Sequence, residues 1–446
     1  MRIYQRNSSF FIIGFLAVLL MAGCPVTEGG VRQDSYRENE KVLRYEDHVY
    51  EEHIRTVQFY RGENPHSYPF LYLNDPTQLF LEFDALIPPN ANPQDFWVSV
   101  VSCDHDWQPG TLLPLEFLEG IDTDQIYESV RSTNTLVPYV HYAYRFPSEG
   151  ASFKRSGNYL LKVYASGNEN DLILTRRFIV AEPKIEVISL LSQSLGAAAR
   201  QKVQRLDFKI NLKGSLPGMF DPRQDLKVCL LQNFRWDNAL CDLQPLYMAD
   251  NKLEYQIDAG TAFGGGNEYR WIDIRSTRFM PDMIRKIEIV DSVYHVDLWT
   301  DTSRTSSRYR RLSDRNGGYY IDVQEYPNPD WEADYVYVRF GMQALRPMKN
   351  IQLYVYGKFS EWQCTRENQL FYNPSRLRYE GEVLMKQGVY DYAYAVIPEQ
   401  GGPPNESLLE GRHHETGNYY TILVYYKPMG SRAATLVGFK HINYIY

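Results

Sequence analysis

The stretch Val101–Gly110, VSCDHDWQPG, places a cysteine, a histidine and two aspartates within four residues, with a tryptophan directly after them. Such a set could hold a metal ion, act as an acid/base pair, or form the polar rim of an ordinary strand. Side chains alternate faces along a strand. An extended 101–107 would put Cys103 and His105 on one side with Val101 and Trp107, and Asp104 and Asp106 on the other. A metal would then meet one pair but not all four groups. Two carboxylates spaced by two residues lie about 7 Å apart along a strand, which suits neither a tight pair nor an inverting pair without a cleft. The expected role is structural, with His105 packed beside Trp107 and the aspartates capping a turn into Gln108-Pro109-Gly110.

Other candidates for chemistry carry less. No G-x-S-x-G elbow marks an activated serine, and no C-x-x-C pair offers zinc ligands. FGGGNEY (Phe263–Tyr269) is glycine-rich, but neither Lys-Ser nor a helical pattern follows, so it lacks the context of a phosphate cradle. His414 and Glu415 in GRHHETGNYY could bind a cation, yet neighbours point apart in an extended chain, and His413 and His414 read as part of a solvated loop. A net charge of −8 without a basic block argues against nucleic acid, which demands clustered Lys and Arg. The expectation is a protein with no catalytic, cofactor-binding or metal residues and no small-molecule substrate.

The amino terminus points to export. Arg2 and Arg6 precede an apolar run, Phe10–Gly23, that is short for a membrane span and suits the core of a signal peptide. Ala22 and Gly23 directly before Cys24 resemble the lipobox of bacterial lipoproteins, which implies cleavage before Cys24 and lipidation of its thiol. Residues 1–23 are thus read as a lipoprotein signal peptide and 24–44 as a polar tether. Export puts Cys103, Cys229, Cys241 and Cys364 in an oxidising compartment. A hairpin centred near Arg235 would set Cys229 opposite Cys241, close enough for a disulfide. Two buried free thiols are the other reading, and the residues leave both open.

The elements that must position these groups read as strands. Tyr (36) and Phe (21) are abundant and alternate with valine, a pattern that suits pleated, half-buried surfaces. Short alternating runs such as QLFLEFDAL, FWVSVVSC, YLLKVYAS and YYTILVYY are separated by Pro, Gly, Asn and Asp clusters. TDQIYESVRSTNT is the one helix-like stretch and reads as a loop or single turn. The fold expected is all-β: three tandem immunoglobulin-like or early-set β-sandwiches over 45–182, 183–300 and 301–446. A glycine shortly precedes Tyr159, Tyr269, Tyr390 and Tyr419, each opening an alternating strand. These tyrosines are expected to send their hydroxyls back to the backbone at sheet corners, with the glycine supplying the turn dihedral.

The order of motifs adds a resemblance. IRTVQFYR, LEFDAL, SCDHDWQPGTL, STNTLVPYVHYAYRFP and RSGNYLLKVY follow one another from residue 54, and LLQNFRWDNAL, GGNEYRWIDIRSTRF, VYGKFSEW and HHETGNYYTILVYY continue the series. Together they resemble the plug protein family of the type IX secretion system across nearly the whole mature chain. The resemblance implies a non-enzymatic periplasmic subunit, anchored by its lipid to the inner leaflet of the outer membrane. It implies docking on the large outer-membrane translocon β-barrel and sealing of its pore at rest. An alternative comes from the last segment, where VYGKFSEW and YEGEVLMKQGVYDYAY resemble glucan-binding early-set sandwiches. There Trp362 and Tyr390 would stack on sugar rings, and the protein would be a glycan-binding outer-membrane lipoprotein.

Overall fold

The computed structural model describes residues 41–192, 203–212, 216–257 and 263–444. The expected signal peptide, Cys24 and most of the expected tether lie outside the described residues. The described chain is all-β, and its α-helices are four residues long, as in Pro114–Phe117 and Pro329–Glu332. Among the described residues, no helix is long and apolar enough to cross a membrane.

The first sandwich pairs two sheets. One runs Ile54–Arg61, Leu79–Leu86, Tyr139–Phe146, Glu128–Arg131, and the other His48–Val49, Leu172–Ala181, Gly157–Ala165, Phe96–Cys103, Thr123–Ile126, with Phe70–Tyr72 parallel to Leu172–Ala181. Their facing side chains form a core around Phe83, Phe96, Tyr142 and Phe178. The segment expected as a loop, TDQIYESVR, is instead two edge strands. Thr123–Ile126 joins one sheet and Glu128–Arg131 the other, so the chain changes sheets at Tyr127.

Gly157–Ala165 is buried along its whole length, which explains its near-continuous apolar reading. Tyr159, Leu161 and Val163 face the first core, while Leu160 faces a second apolar layer with Cys229, Leu231, Leu423 and Tyr425. That layer glues the first sandwich to the sheet Leu226–Gln232, Asn418–Tyr426, Thr435–Tyr444. This sheet packs through its other face, around Ile422, Phe208 and Leu253, onto Glu186–Ser192, Val203–Asn211, Lys252–Tyr255 and Tyr247–Ala249.

The last sheet has nine strands: Arg270–Asp273, Gly388–Pro398, Ile351–Tyr356, Gln369–Asn373, Arg378–Lys386, Tyr335–Gln343, Val293–Leu298 and Ile284–Val290, with Tyr319–Ile321 also on Gly388–Pro398. Ile272 from one end and Ile284 from the other share one core, so the sheet curls back on itself.

The sheets therefore do not divide where sequence order places the boundaries. Arg270–Asp273 and the hairpin Ile284–Leu298, expected in the middle sandwich, belong to the curled sheet. Asn418–Tyr426 and Thr435–Tyr444, expected in the last one, complete the second sandwich. Chain order favours neighbours, but a strand goes where its two faces and its hydrogen-bonding edge are all satisfied.

The corner tyrosines divide too. Tyr159 and Tyr390 donate their hydroxyls to the carbonyls of Arg155 and Lys386, at 2.8 and 2.6 Å. Tyr269 instead meets Arg235 at 3.3 Å, and Tyr419 stacks on His441. The glycine supplies an unusual dihedral at Gly157 (φ +153), whereas at Gly388 a Cβ would stand 2.3 Å from the Tyr320 carbonyl.

Candidate functional site

The opening stretch is a turn that joins sandwiches. Its strand ends at Cys103, so face alternation stops there. Asp104 N–H donates to the Gln108 carbonyl and Trp107 N–H to the Asp104 carbonyl, with Trp107 in the left-handed region at φ 63°. The tight turn brings ligand atoms of Asp104, His105 and Asp106 within 4.8 Å of one another, which corrects the expectation that they part onto two faces.

Their partners are structural. Asp104 pairs with the Lys427 ammonium and accepts from the His105 backbone at 2.8 Å. Burial pushes its carboxyl up, but Lys427 and the His105 bonds outweigh that and hold it below the usual range. Asn158 donates to the Asp104 carbonyl at 3.1 Å and is itself bound by the Tyr425 hydroxyl. Asp106 caps the Gln108 N–H, as expected. His105 faces Tyr425 rather than Trp107. Trp107 packs edge-on to Trp236, and the Arg177 guanidinium lies 4.7 Å over its ring. Burial pushes the Cys103 thiol up to about 12, which removes it as a nucleophile at neutral pH.

Beside this turn lies a cavity of about 950 Å³, within the range of ligand sites, where both sandwiches and the curled sheet meet. Its walls are riveted across elements. Tyr68 stacks on Phe234 at 4.5 Å, and Arg176 pairs with Glu361. Arg235, buried, pairs with Asp237 and Glu406, donates to the Tyr356 hydroxyl, and covers the Trp362 ring at 3.9 Å. Lys358 also lines the cavity. Burial lowers its amine to about 8, against the pull of Asp47, and Arg176 lowers it further.

These contacts bear on the glycan-stacking pair. Tyr390 is 2% exposed, stacked on Tyr319, with its hydroxyl spent on Lys386. Trp362 is partly buried beneath Arg235, with Tyr356 and Tyr269 at its edges. The two do not form an open platform for a sugar, because sheet curling turns Tyr390 into the core.

Residues 54–182 match the type 9 secretion system plug protein 1st domain. This chain belongs to the type IX secretion plug protein family. Among solved structures, it resembles a hypothetical protein from Parabacteroides merdae, at 30% identity and a TM-score of 0.84, over 90% of this chain and 100% of that one. No curated protein matches.

The plug 1st domain coincides with the first sandwich. Its match begins at the first residue of Ile54–Arg61 and ends just past Leu172–Ala181, taking in the Asp104 turn. Membership places this plug family protein with type IX secretion in the cell envelope.

Outside that domain, Cys229 and Cys241 are joined in a disulfide, across the hairpin bridged at Leu230 and Leu240. The FGGG run serves close chain packing, since a Cβ on Gly265 would stand 1.8 Å from the His413 carbonyl. His413 and His414 lie in a loop, in line with the sequence reading, and its turn brings His414 to Glu415 at 2.9 Å. One cluster escaped sequence reasoning altogether. Glu82, His141 and Asp330 come from three distant segments and have no shared motif.

Proposed function

We propose that this plug family protein docks, without chemistry of its own, on the periplasmic mouth of the type IX outer-membrane translocon barrel and seals its pore at rest. The match of residues 54–182 to the plug domain carries this reading. The physical demands of a plug support it. A pore wide enough for folded cargo leaks unless a broad, stiff body covers it, and here shared strands and cross-sheet ion pairs bind two sandwiches and a curled sheet together. A lipid on Cys24 would hold that body near its partner and raise effective concentration without new contacts.

Aromatic side chains dominate the energetics of interfaces. Phe220, Phe279 and Trp299, at 95%, 70% and 59% exposure, are the first candidates to meet the barrel. The test is a detergent pull-down through a carboxy-terminal tag, from cells with an intact secretion system. Recovery of a very large outer-membrane barrel supports docking, and loss of that recovery with F279A and W299A places the contact. Failure to recover any barrel overturns the proposal.

A further inference from the structure

Where the first sandwich meets the curled sheet, five carboxylates gather around a single lysine. Glu332 and Asp334 are satisfied by neutral donors: Asn134 and Asn328 for one, the backbone N–H groups of Leu136, Val137 and Tyr335 for the other. Glu82, Asp84 and Asp330 are not all so placed. Lys386 donates to Asp84 at 2.6 Å, and its other bond goes to the Asp330 backbone carbonyl. The Asp330 carboxylate has no hydrogen bond or ion pair among the described residues, and Glu82 accepts one hydrogen bond, from the Tyr60 hydroxyl at 2.7 Å. Three carboxylates thus share one ammonium at an interface where Asp84 is buried and Glu82 and Asp330 are half-buried. Buried charge is tolerated where it is paired or coordinates a metal.

The histidine is the second observation. His141 is 8% exposed and stands directly opposite Asp84 in the strand register. Its Nδ1 lies 2.8 Å from the Asp84 carboxylate, an acceptor that fixes the proton on Nδ1. Nε2 has no hydrogen-bond partner among the described residues. A carboxylate that orients an imidazole from behind is the arrangement by which proteins prepare a histidine to ligate. Ligand atoms of Glu82, His141 and Asp330 lie within 4.8 Å of one another. Around one such ion, ligand atoms at about 2.0–2.2 Å from the metal stand about 3–4 Å apart. Small side-chain rotations close the difference.

We propose that Glu82, His141 and Asp330 form a site for one first-row divalent cation, Zn²⁺ or Mn²⁺, that clamps the first sandwich to the curled sheet. One imidazole and two carboxylates suit those ions, whereas Ca²⁺ takes six to eight oxygens. Like-charge crowding supports the site. Glu82 and Asp330 bring carboxylate oxygens within 4.8 Å of each other, and a dication would relieve their repulsion. The site is unlike the Asp104 turn, whose carboxylate already has its cation in Lys427.

The test titrates the full mature chain, stripped with chelator, with ZnCl₂ and with MnCl₂ in a calorimeter, alongside thermal melting. The expected result is saturable binding of one equivalent of at least one ion, with a higher melting temperature. D330N should weaken binding at least tenfold while the metal-free protein melts unchanged, because Asp330 has no other side-chain partner. E82Q should do the same if D330N fails to fold, and D106N should leave affinity unchanged. No saturable binding of either ion overturns the proposal, and so does binding that survives both D330N and E82Q.

Discussion

Replacing Lys386 by Met tests how the first sandwich is held to the curled sheet. The ammonium is 2% exposed and Asp84 is 1% exposed, so neither charge has water to fall back on. In the native protein Asp84 takes Lys386 at 2.6 Å, the Tyr335 hydroxyl at 2.7 Å and His141 at 2.8 Å. The ammonium also lies 4.3 Å over the Tyr139 ring. Methionine keeps the stem's packing but strands the carboxylate. Removing one partner of a buried pair costs about 3–5 kcal/mol, because the remaining charge is left uncompensated.

The pH dependence follows from Asp84. Burial alone raises its pKa, but Lys386 and His141 together hold it below the ordinary value. Its contribution in the native protein therefore persists at neutral pH and is lost only as pH falls below about 4. In the variant, burial dominates and the folded pKa rises above the unfolded one. The variant then loses stability as pH rises through that raised value and regains it on acidification. Urea unfolding followed by tryptophan fluorescence, with chelator present, should show a deficit of about 3–5 kcal/mol at pH 8 that shrinks by pH 5.5. The double variant D84N/K386M should be less destabilised than the sum of the two single changes. A deficit under about 1 kcal/mol at pH 8, in the range of an exposed pair, or strict additivity in the double variant, would refute the reasoning.

Three further outcomes are expected. C241A opens the hairpin of the disulfide, whose cysteines are 12 residues apart, and should cost about 3 kcal/mol of stability in oxidising buffer and little in reducing buffer. Y390F leaves the buried Lys386 carbonyl without its donor and should cost about 1–3 kcal/mol, read as a lower urea midpoint, with Y159F behaving alike at Arg155. Lys358 has a folded pKa near 8, below its unfolded value, so the unfolded chain binds the extra proton above that pH and stability should climb from about pH 8 to pH 10. K358M should flatten that climb in unfolding curves taken across the window, and an unchanged slope would count against the cavity lysine.

Much of the fold was legible because strand physics is local. Gly157–Ala165 and Asn418–Tyr426 read as apolar strands from their residues alone, and both are strands buried along nearly their whole length. The pairing of Cys229 with Cys241 could be posed, though not decided, from a hairpin spacing. Two kinds of error had physical causes. TDQIYESVR looked helical because its polar residues hid two edge strands, each paired on one side only. Trp362 and Tyr390 looked like a stacking pair because exposure cannot be read from a motif, and sheet curling buried one while Arg235 covered the other.

The sequence by itself determined the all-β class, the strand-rich first domain and the resemblance to plug proteins, since alternation and motif order are properties of the chain. Tertiary structure alone decided which strands share a sheet, because Arg270–Asp273 and Asn418–Tyr426 cross between units that chain order would keep apart. It also decided where chemistry can gather. Cys103, Asp104 and His105 adjoin in sequence and are tied off by packing. Glu82, His141 and Asp330 stand far apart in the chain, and a shared interface brings their side chains into one shell.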